Sequence, residues 1–144
     1  MDVARTALDR SAQEIEEALT VGARVVIAPR DQVTIGPALV DVIERSGATV
    51  MQTTPATLRL LLAAGWKGNR SLGVITGGEG LPAALAREIL PRVKELWNVY
   101  GPTETTVWSS FRRVVESDLG RPTVSIGTGI RDTALYVLDS SLEP

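Results

Sequence analysis

The sequence predicts an α/β domain, a parallel sheet with helices on both faces and extra strands at its C-terminal end. Helix-patterned and strand-patterned segments alternate from Val3 to Tyr100, the order that builds βα units. The strand segments are unbroken apolar runs, as strands covered on both faces require. The connections between them are short, as in α/β units. At 144 residues the chain fits one domain, residues 1–144 being read as a single unit.

Each element has a local reason. Val3 to Leu19 carries Ala4, Ala7, Leu8, Ala12, Ile15, Ala18 and Leu19 at near-helical spacing, with Gly22 as a stop. Arg24 to Ala28 is a short apolar run closed by Pro29 and reads as a buried strand. Pro37 to Arg45 is amphipathic through Leu39, Val40, Val42 and Ile43, and Gly47 stands where a helix C-cap belongs. Ala48 to Gln52 is the second strand. Thr54 and Pro55 open a third helix, threonine as cap and proline in the first turn. Leu58, Leu61, Leu62 and Ala63 form its core face, and Gly65 ends it. Leu72 to Thr76 is the third strand, Gly77 to Gly80 a tight turn, and Pro82 starts a helix running to about Leu90. Leu96 to Tyr100 is the fourth strand. Val107 to Val115 and Ala134 to Leu138 read as further strands, separated by Gly120 to Gly129.

Composition removes whole classes of chemistry. The 15 basic and 17 acidic residues leave a net charge of -2, which argues against nucleic acid as a partner. With no Cys and no His there are no disulfides, no thiol or imidazole catalysis, and no Ser/His or Cys/His nucleophile. A metal could be held only by oxygen ligands, which favours Mg or Ca. No run of 18 apolar residues suggests a membrane span, and Met1 to Arg10 lacks the apolar core of a signal peptide. The cytoplasm is the expected compartment.

In open α/β sheets ligands bind beyond the carboxyl ends of the strands. Three such ends carry unusual residues: Gln52 to Pro55, Gly77 to Gly80, and Asn98 to Thr106. The glycine turn either lets backbone approach a ligand closely or is simply a tight strand-to-helix turn. The third segment gathers an amide, a phenol, a carboxylate and three threonine hydroxyls around Gly101-Pro102. It can stack a planar base on Tyr100, meet a phosphate through Thr103 and hold Mg through Glu104. Otherwise it is a polar surface loop.

The stretch Asn98-Val99-Tyr100-Gly101-Pro102-Thr103-Glu104-Thr105-Thr106 resembles the NxYGPTETT motif of amino-acid adenylation domains from nonribosomal peptide synthetases, members of the acyl-adenylate-forming superfamily. Gly77-Gly78-Glu79 resembles that family's GGE turn, Leu8-Asp9-Arg10-Ser11 its FDxS motif, and Ile126-Gly127 with Leu135 to Asp139 its IGxP and YVLD stretch. The resemblance implies a flavodoxin-like specificity subdomain. In it Tyr100 would lie against adenine, Asn98 would bond the adenine amino group, Gly101 would shape the turn and Thr103 would bind the α-phosphate. Glu104 would help ligate Mg, and Asp9 would pair with the substrate ammonium. The amino-acid pocket would be lined by Arg10, Gln13, Gln52, Ile75, Gly77, Gly78, Val99, Val107 and Trp108. The small Gly77 leaves room for a sizeable side chain, which Arg10, Gln13 and Trp108 could fill. ATP, Mg, an amino acid and the remainder of the adenylation domain are the implied cofactors and partners of the parent enzyme, with none held tightly here.

The family's phosphate loop ending in Pro-Lys-Gly is absent ahead of the first helix, and the chain stops before the ribose-binding Asp and the catalytic Lys. The expectation is therefore a catalytically incomplete subdomain. The first helix reads Ala12-Gln13-Glu14-Ile15-Glu16-Glu17-Ala18-Leu19, where relatives are mostly apolar. Asp2, Arg5, Asp9, Gln13, Glu16 and Glu17 largely share one side, the pattern of a face that meets water. That patterning suggests excision with redesign, an engineered protein, and a monomer. A stand-alone α/β scaffold or binding module without a ligand role is the alternative.

Overall fold

The computed structural model describes residues 3–4, 18–105 and 108–143. Two short strands, β1 (Val3–Ala4) and β2 (Val26–Ile27), pair in parallel. A second sheet holds β3 (Val50–Thr53), β4 (Asn69–Gly77), β5 (Val93–Tyr100), β6 (Ser110–Arg113) and β7 (Thr128–Gly129), in that order. The pairs β3–β4 and β4–β5 are parallel, whereas β5–β6 and β6–β7 are antiparallel. β1 lies alongside β3, so the strands run β2-β1-β3-β4-β5 across the molecule. This is the flavodoxin-like order, with its switch point between β1 and β3.

The helices are α1 (Arg30–Val33), α2 (Gly36–Ser46), α3 (Pro55–Ala63) and α4 (Ala83–Ile89). Side chains from all four join Met51, Val74 and Leu96 in one core. Strand alternation and register explain the choice. Met51, Val74 and Leu96 stand side by side on one sheet face, and Gln52, Ile75 and Trp97 stand side by side on the other. The first row is buried and the second is half-buried. Ile43, Leu58, Leu61 and Ile89 are fully enclosed on the core side. At about 25 cal/mol per Å² of apolar surface, each such side chain contributes roughly 1.5–3 kcal/mol.

α3 begins where the sequence places it: Thr54 caps it through an N–H bond from Thr57 to Thr54 Oγ1 at 3.3 Å. α2 ends on Gly47 in the left-handed region, as a C-cap glycine does. α1 has no counterpart in the sequence reading, being too short for its periodicity to register. The predicted helix from Val3 is corrected at its start. Val3 and Ala4 form a strand opposite Val26 and Ile27, because a short apolar run fits a strand as well as a helix. Residues 18–20 are helical, and 5–17 lie outside the described residues. The expected strand Ala134 to Leu138 is also corrected. The β6 edge is taken by Thr128–Gly129 instead, which leaves 134–138 without a ladder partner. No helix among the described residues is long and apolar enough to cross a membrane.

Candidate functional site

β4 and β5 are parallel neighbours with Gly77 opposite Val99, so their carboxyl ends finish side by side. The loops beyond them enclose a cleft of about 370 Å³. One wall is Gly78, Glu79 and Gly80; the other runs from Asn98 to Thr103; Val124 and Ile126 close the third side. That volume falls in the range of small-molecule sites.

Each wall is fixed by a different device. Gly78 has φ +89°, a conformation that favours glycine, and it turns the chain sharply off β4. Glu79 then reaches across to accept a hydrogen bond from the Ala56 N–H at the start of α3, at 2.8 Å. The third wall is held from both ends. The Val124 N–H donates to the Leu81 carbonyl at 2.9 Å, and Ser110 Oγ donates to the Ile126 carbonyl at 2.8 Å.

Asn98 is buried, 3% exposed, and its Nδ2 donates to the Ser125 carbonyl at 2.9 Å. Its amide thus joins β5 to the third wall while lining the cleft. Tyr100, two residues on, is 44% exposed and lines the same cleft. Past Gly101 and Pro102 the chain makes a single 3-10 turn, Thr103–Thr105. Thr105 closes it, with its N–H and its Oγ1 both donating to the Pro102 carbonyl at 3.1 Å. Its hydroxyl also shares a hydrogen bond with Ser109 Oγ. Thr103 and Glu104 are exposed on this turn, so their oxygens are free of burial cost.

The structure therefore brings Gly78, Asn98, Val99, Tyr100, Gly101 and Thr103 to one cleft, while Glu104, the next residue, is exposed on the 3-10 turn and is not among the lining residues. Ile75 and Gly77 fall on the opposite face of the sheet from Asn98. A Cβ built on Gly77 would stand 2.6 Å from the Val99 carbonyl oxygen and 2.9 Å from Trp108 Cη2. Gln52 shares a register row with Ile75 but lines a separate, small depression of about 50 Å³ with Val33, Leu39, Met51 and Thr57. Asp9, Arg10, Gln13 and Val107 lie outside the described residues. The sequence reading missed Ser125 and the wall it anchors. No local signal marks a residue whose part depends on a contact 27 positions away.

Beside the cleft, the Arg112 guanidinium grips Asp118, with Nη2 at 2.6 Å and Nε at 3.1 and 3.2 Å from the carboxylate oxygens. The side-chain hydrogen bond from Arg112 chiefly holds the Asp118 carboxyl below its usual range, against a desolvation that raises it. The same bond raises Arg112. Asp118 also accepts the Val115 N–H at 2.9 Å, so the pair pins the turn after β6. No group of three acidic side chains able to hold a metal is present among the described residues. A lone Glu104 suits Mg shared with phosphates and water, the usual Mg arrangement, and not an all-protein cage.

A family model described as AMP-binding enzyme matches residues 11–144. The chain is 38% identical over 142 residues to a dimodular nonribosomal peptide synthase of Bacillus subtilis (strain 168), covering 99% of this chain and 6% of that protein. Among solved structures it matches a four-domain nonribosomal peptide synthetase bound to AMP and glycine. The TM-score is 0.89 at 40% identity, over 98% of this chain and 11% of that one. A second match is a nonribosomal peptide synthetase protein containing adenylation and PCP domains, with TM-score 0.80 and 28% identity, over 99% of this chain and 26% of that one. The chain thus spans a small part of the length of the proteins it matches.

Proposed function

We propose, from the premise that this chain belongs to the AMP-binding enzyme family, that it is the specificity-bearing part of an amino-acid adenylation domain. The observation that carries this reading is the cleft between the Gly78–Gly80 turn and Asn98–Thr103, which lies beyond the carboxyl ends of the parallel strands β4 and β5, the edge at which such sheets bind ligands.

Adenylation joins a carboxylate oxygen of the amino acid to the α-phosphorus of ATP and releases pyrophosphate. The protein contributes mainly positioning and electrostatic stabilisation. Here Tyr100 stacks on adenine, and its exposed ring costs little to recruit. With Nδ2 engaged by Ser125, the Asn98 carbonyl is the atom that accepts from the adenine amino group. Gly78 and Gly80 let backbone approach the base and sugar. The Thr103 hydroxyl donates to the α-phosphate, and Glu104 contributes one carboxylate to Mg. Asp9 pairs with the substrate ammonium, with Arg10, Gln13 and Val107 around the substrate side chain. Gln52 takes part only if the depression it lines joins that pocket.

The rest of the adenylation domain is the partner this reading requires. Its support is the C-terminal segment, where Tyr136 is 71% and Val137 92% exposed. An apolar strip of that kind marks a surface that another part of the domain covers.

The test replaces the matching stretch of an active adenylation domain with residues 1–144. Amino-acid-dependent ATP–pyrophosphate exchange by the chimera is the expected result, lost on Tyr100→Ala. A folded chimera that binds ATP but exchanges with no amino acid contradicts the reading.

A further inference from the structure

We propose that the chain carries a second binding site, a cationic pocket for a phosphate group, behind the third wall of the cleft. The pocket has a volume of about 360 Å³ and is lined by Arg112, Ser117, Asp118, Arg121 and Ser125. The site goes beyond the adenylation reading and does not depend on it. The wall between the two cavities is one chain thick. Val124 and Ile126 line the cleft, whereas Ser125 between them lines the pocket.

The donors of the pocket suit an oxyanion. Asp118, whose side chain is 10% exposed, accepts from Arg112 Nε and Nη2. That grip fixes the plane of the guanidinium and leaves its Nη1 edge unpaired among the described residues. An arginine held in place loses less freedom when it makes its next hydrogen bond. Arg121 is exposed and makes no ion pair with a described residue. Asp118 is the single carboxylate in the lining and Arg112 offsets it, so Arg121 gives the pocket a net positive charge. Ser125 Oγ accepts the Gly127 N–H at 3.1 Å, which leaves the hydroxyl proton to donate. Ser117 adds a second hydroxyl. Guanidinium and hydroxyl groups are the donors that bind phosphate oxygens.

The chain on both sides of Arg121 is anchored. Leu119 is buried, and its carbonyl accepts from Arg87 Nη2 at 3.0 Å. The Pro122 carbonyl accepts the Ala83 N–H at 2.9 Å. The volume is that of a small-molecule site and not of a single ion, so it has room for a phosphate carried on a small organic group, a monoester.

The experiment titrates the 144-residue chain with inorganic phosphate and, separately, with glycerol 3-phosphate at constant ionic strength, followed by two-dimensional amide NMR. Shifts from either should gather at Ser117, Asp118, Arg121 and Ser125, and should saturate. Arg121→Gln should weaken binding about tenfold, the scale of one hydrogen bond to a charged group. Arg121→Lys, which keeps the charge, should recover part of that loss. Both variants alter an exposed side chain, so the fold is kept. Tighter binding of glycerol 3-phosphate assigns the pocket to a monoester and equal binding assigns it to free phosphate; either sustains the site. Shifts that grow without saturation over the whole surface, or that gather at Gly78–Gly80 and Asn98–Thr103, overturn it. Saturable binding that Arg121→Gln leaves unchanged overturns it too. None of these results bears on the nucleotide cleft, which is tested with AMP and Tyr100→Ala.

Discussion

The carboxylate of Glu79 accepts the Ala56 N–H at 2.8 Å, so the turn after β4 caps the helix after β3. The cap completes the start of α3. Pro55 has no N–H, Thr57 donates to Thr54 Oγ1 at 3.3 Å, and Leu58 donates to the Thr54 carbonyl at 3.1 Å. Ala56 would otherwise be the donor left over. A carboxylate at this end also meets the positive pole of the helix dipole. Glu79→Ala should therefore cost about 0.5–2 kcal/mol, the range for a lost cap. Glu79→Gln, which keeps the acceptor, should cost less. Urea denaturation with an unchanged slope checks both.

Gly77 tests the packing at the strand ends. Its added Cβ would lie 2.6 Å from the Val99 carbonyl oxygen, a backbone atom that cannot swing aside. Gly77→Ala should destabilise by about 1–3 kcal/mol through overpacking, and combining it with Trp108→Ala should recover only the part owed to the ring. Thermal melts of the single and double variants measure the difference.

Asn98 and Tyr100, close in sequence, should separate stability from binding. Asn98→Ala strips the Ser125 carbonyl of its partner and should cost about 1–3 kcal/mol. Tyr100→Ala alters an exposed ring and should stay within about 0.5 kcal/mol of the parent. If the two variants denature alike, the buried amide does not hold the third wall as described.

The helices and strands of the βα units were legible because each carries its own signal: the Thr54–Pro55 start, the Gly47 stop, the apolar runs at 72–76 and 96–100. The two loops that wall the cleft were legible for the same reason, since glycines and clustered hydroxyls stand out after an apolar strand. What the sequence hid depends on partners remote in the chain. Val3–Ala4 is a strand only because Val26–Ile27 is available to pair with it. Val137 alternates like a strand residue yet has no neighbouring ladder and stays 92% exposed. Ser125 and Glu79 acquire their parts from contacts 27 and 23 residues away. The fate of the space over Gly77 likewise rests on where the Trp108 ring falls.

The Arg112–Asp118 pair should make stability depend on pH in one direction. The folded Asp118 carboxyl is held below its unfolded value of about 3.9, chiefly by the Arg112 hydrogen bond. Its contribution is fully present above that unfolded value and is lost as pH falls through the folded one. Asp118→Asn should lower the melting temperature at pH 7, and the gap between variant and parent should narrow as the pH is taken below about 4. A gap that stays constant down to pH 2 would show that the charge on Asp118 contributes nothing.

The most direct measurement of the proposed site is a titration of the 144-residue chain with AMP, followed by two-dimensional amide NMR. Stacking on one aromatic supplies about 1–3 kcal/mol, and a neutral hydrogen bond nets roughly 0.5–1.5 kcal/mol. Association itself costs several kcal/mol, so the expected dissociation constant is about millimolar, near -4 kcal/mol. Shifts should gather at Gly78–Gly80, Asn98–Thr103 and Val124–Ile126, and Tyr100→Ala should abolish them. Shifts confined to the depression around Val33, Leu39 and Thr57, or micromolar binding that survives Tyr100→Ala, would contradict the assignment of the cleft to a nucleotide.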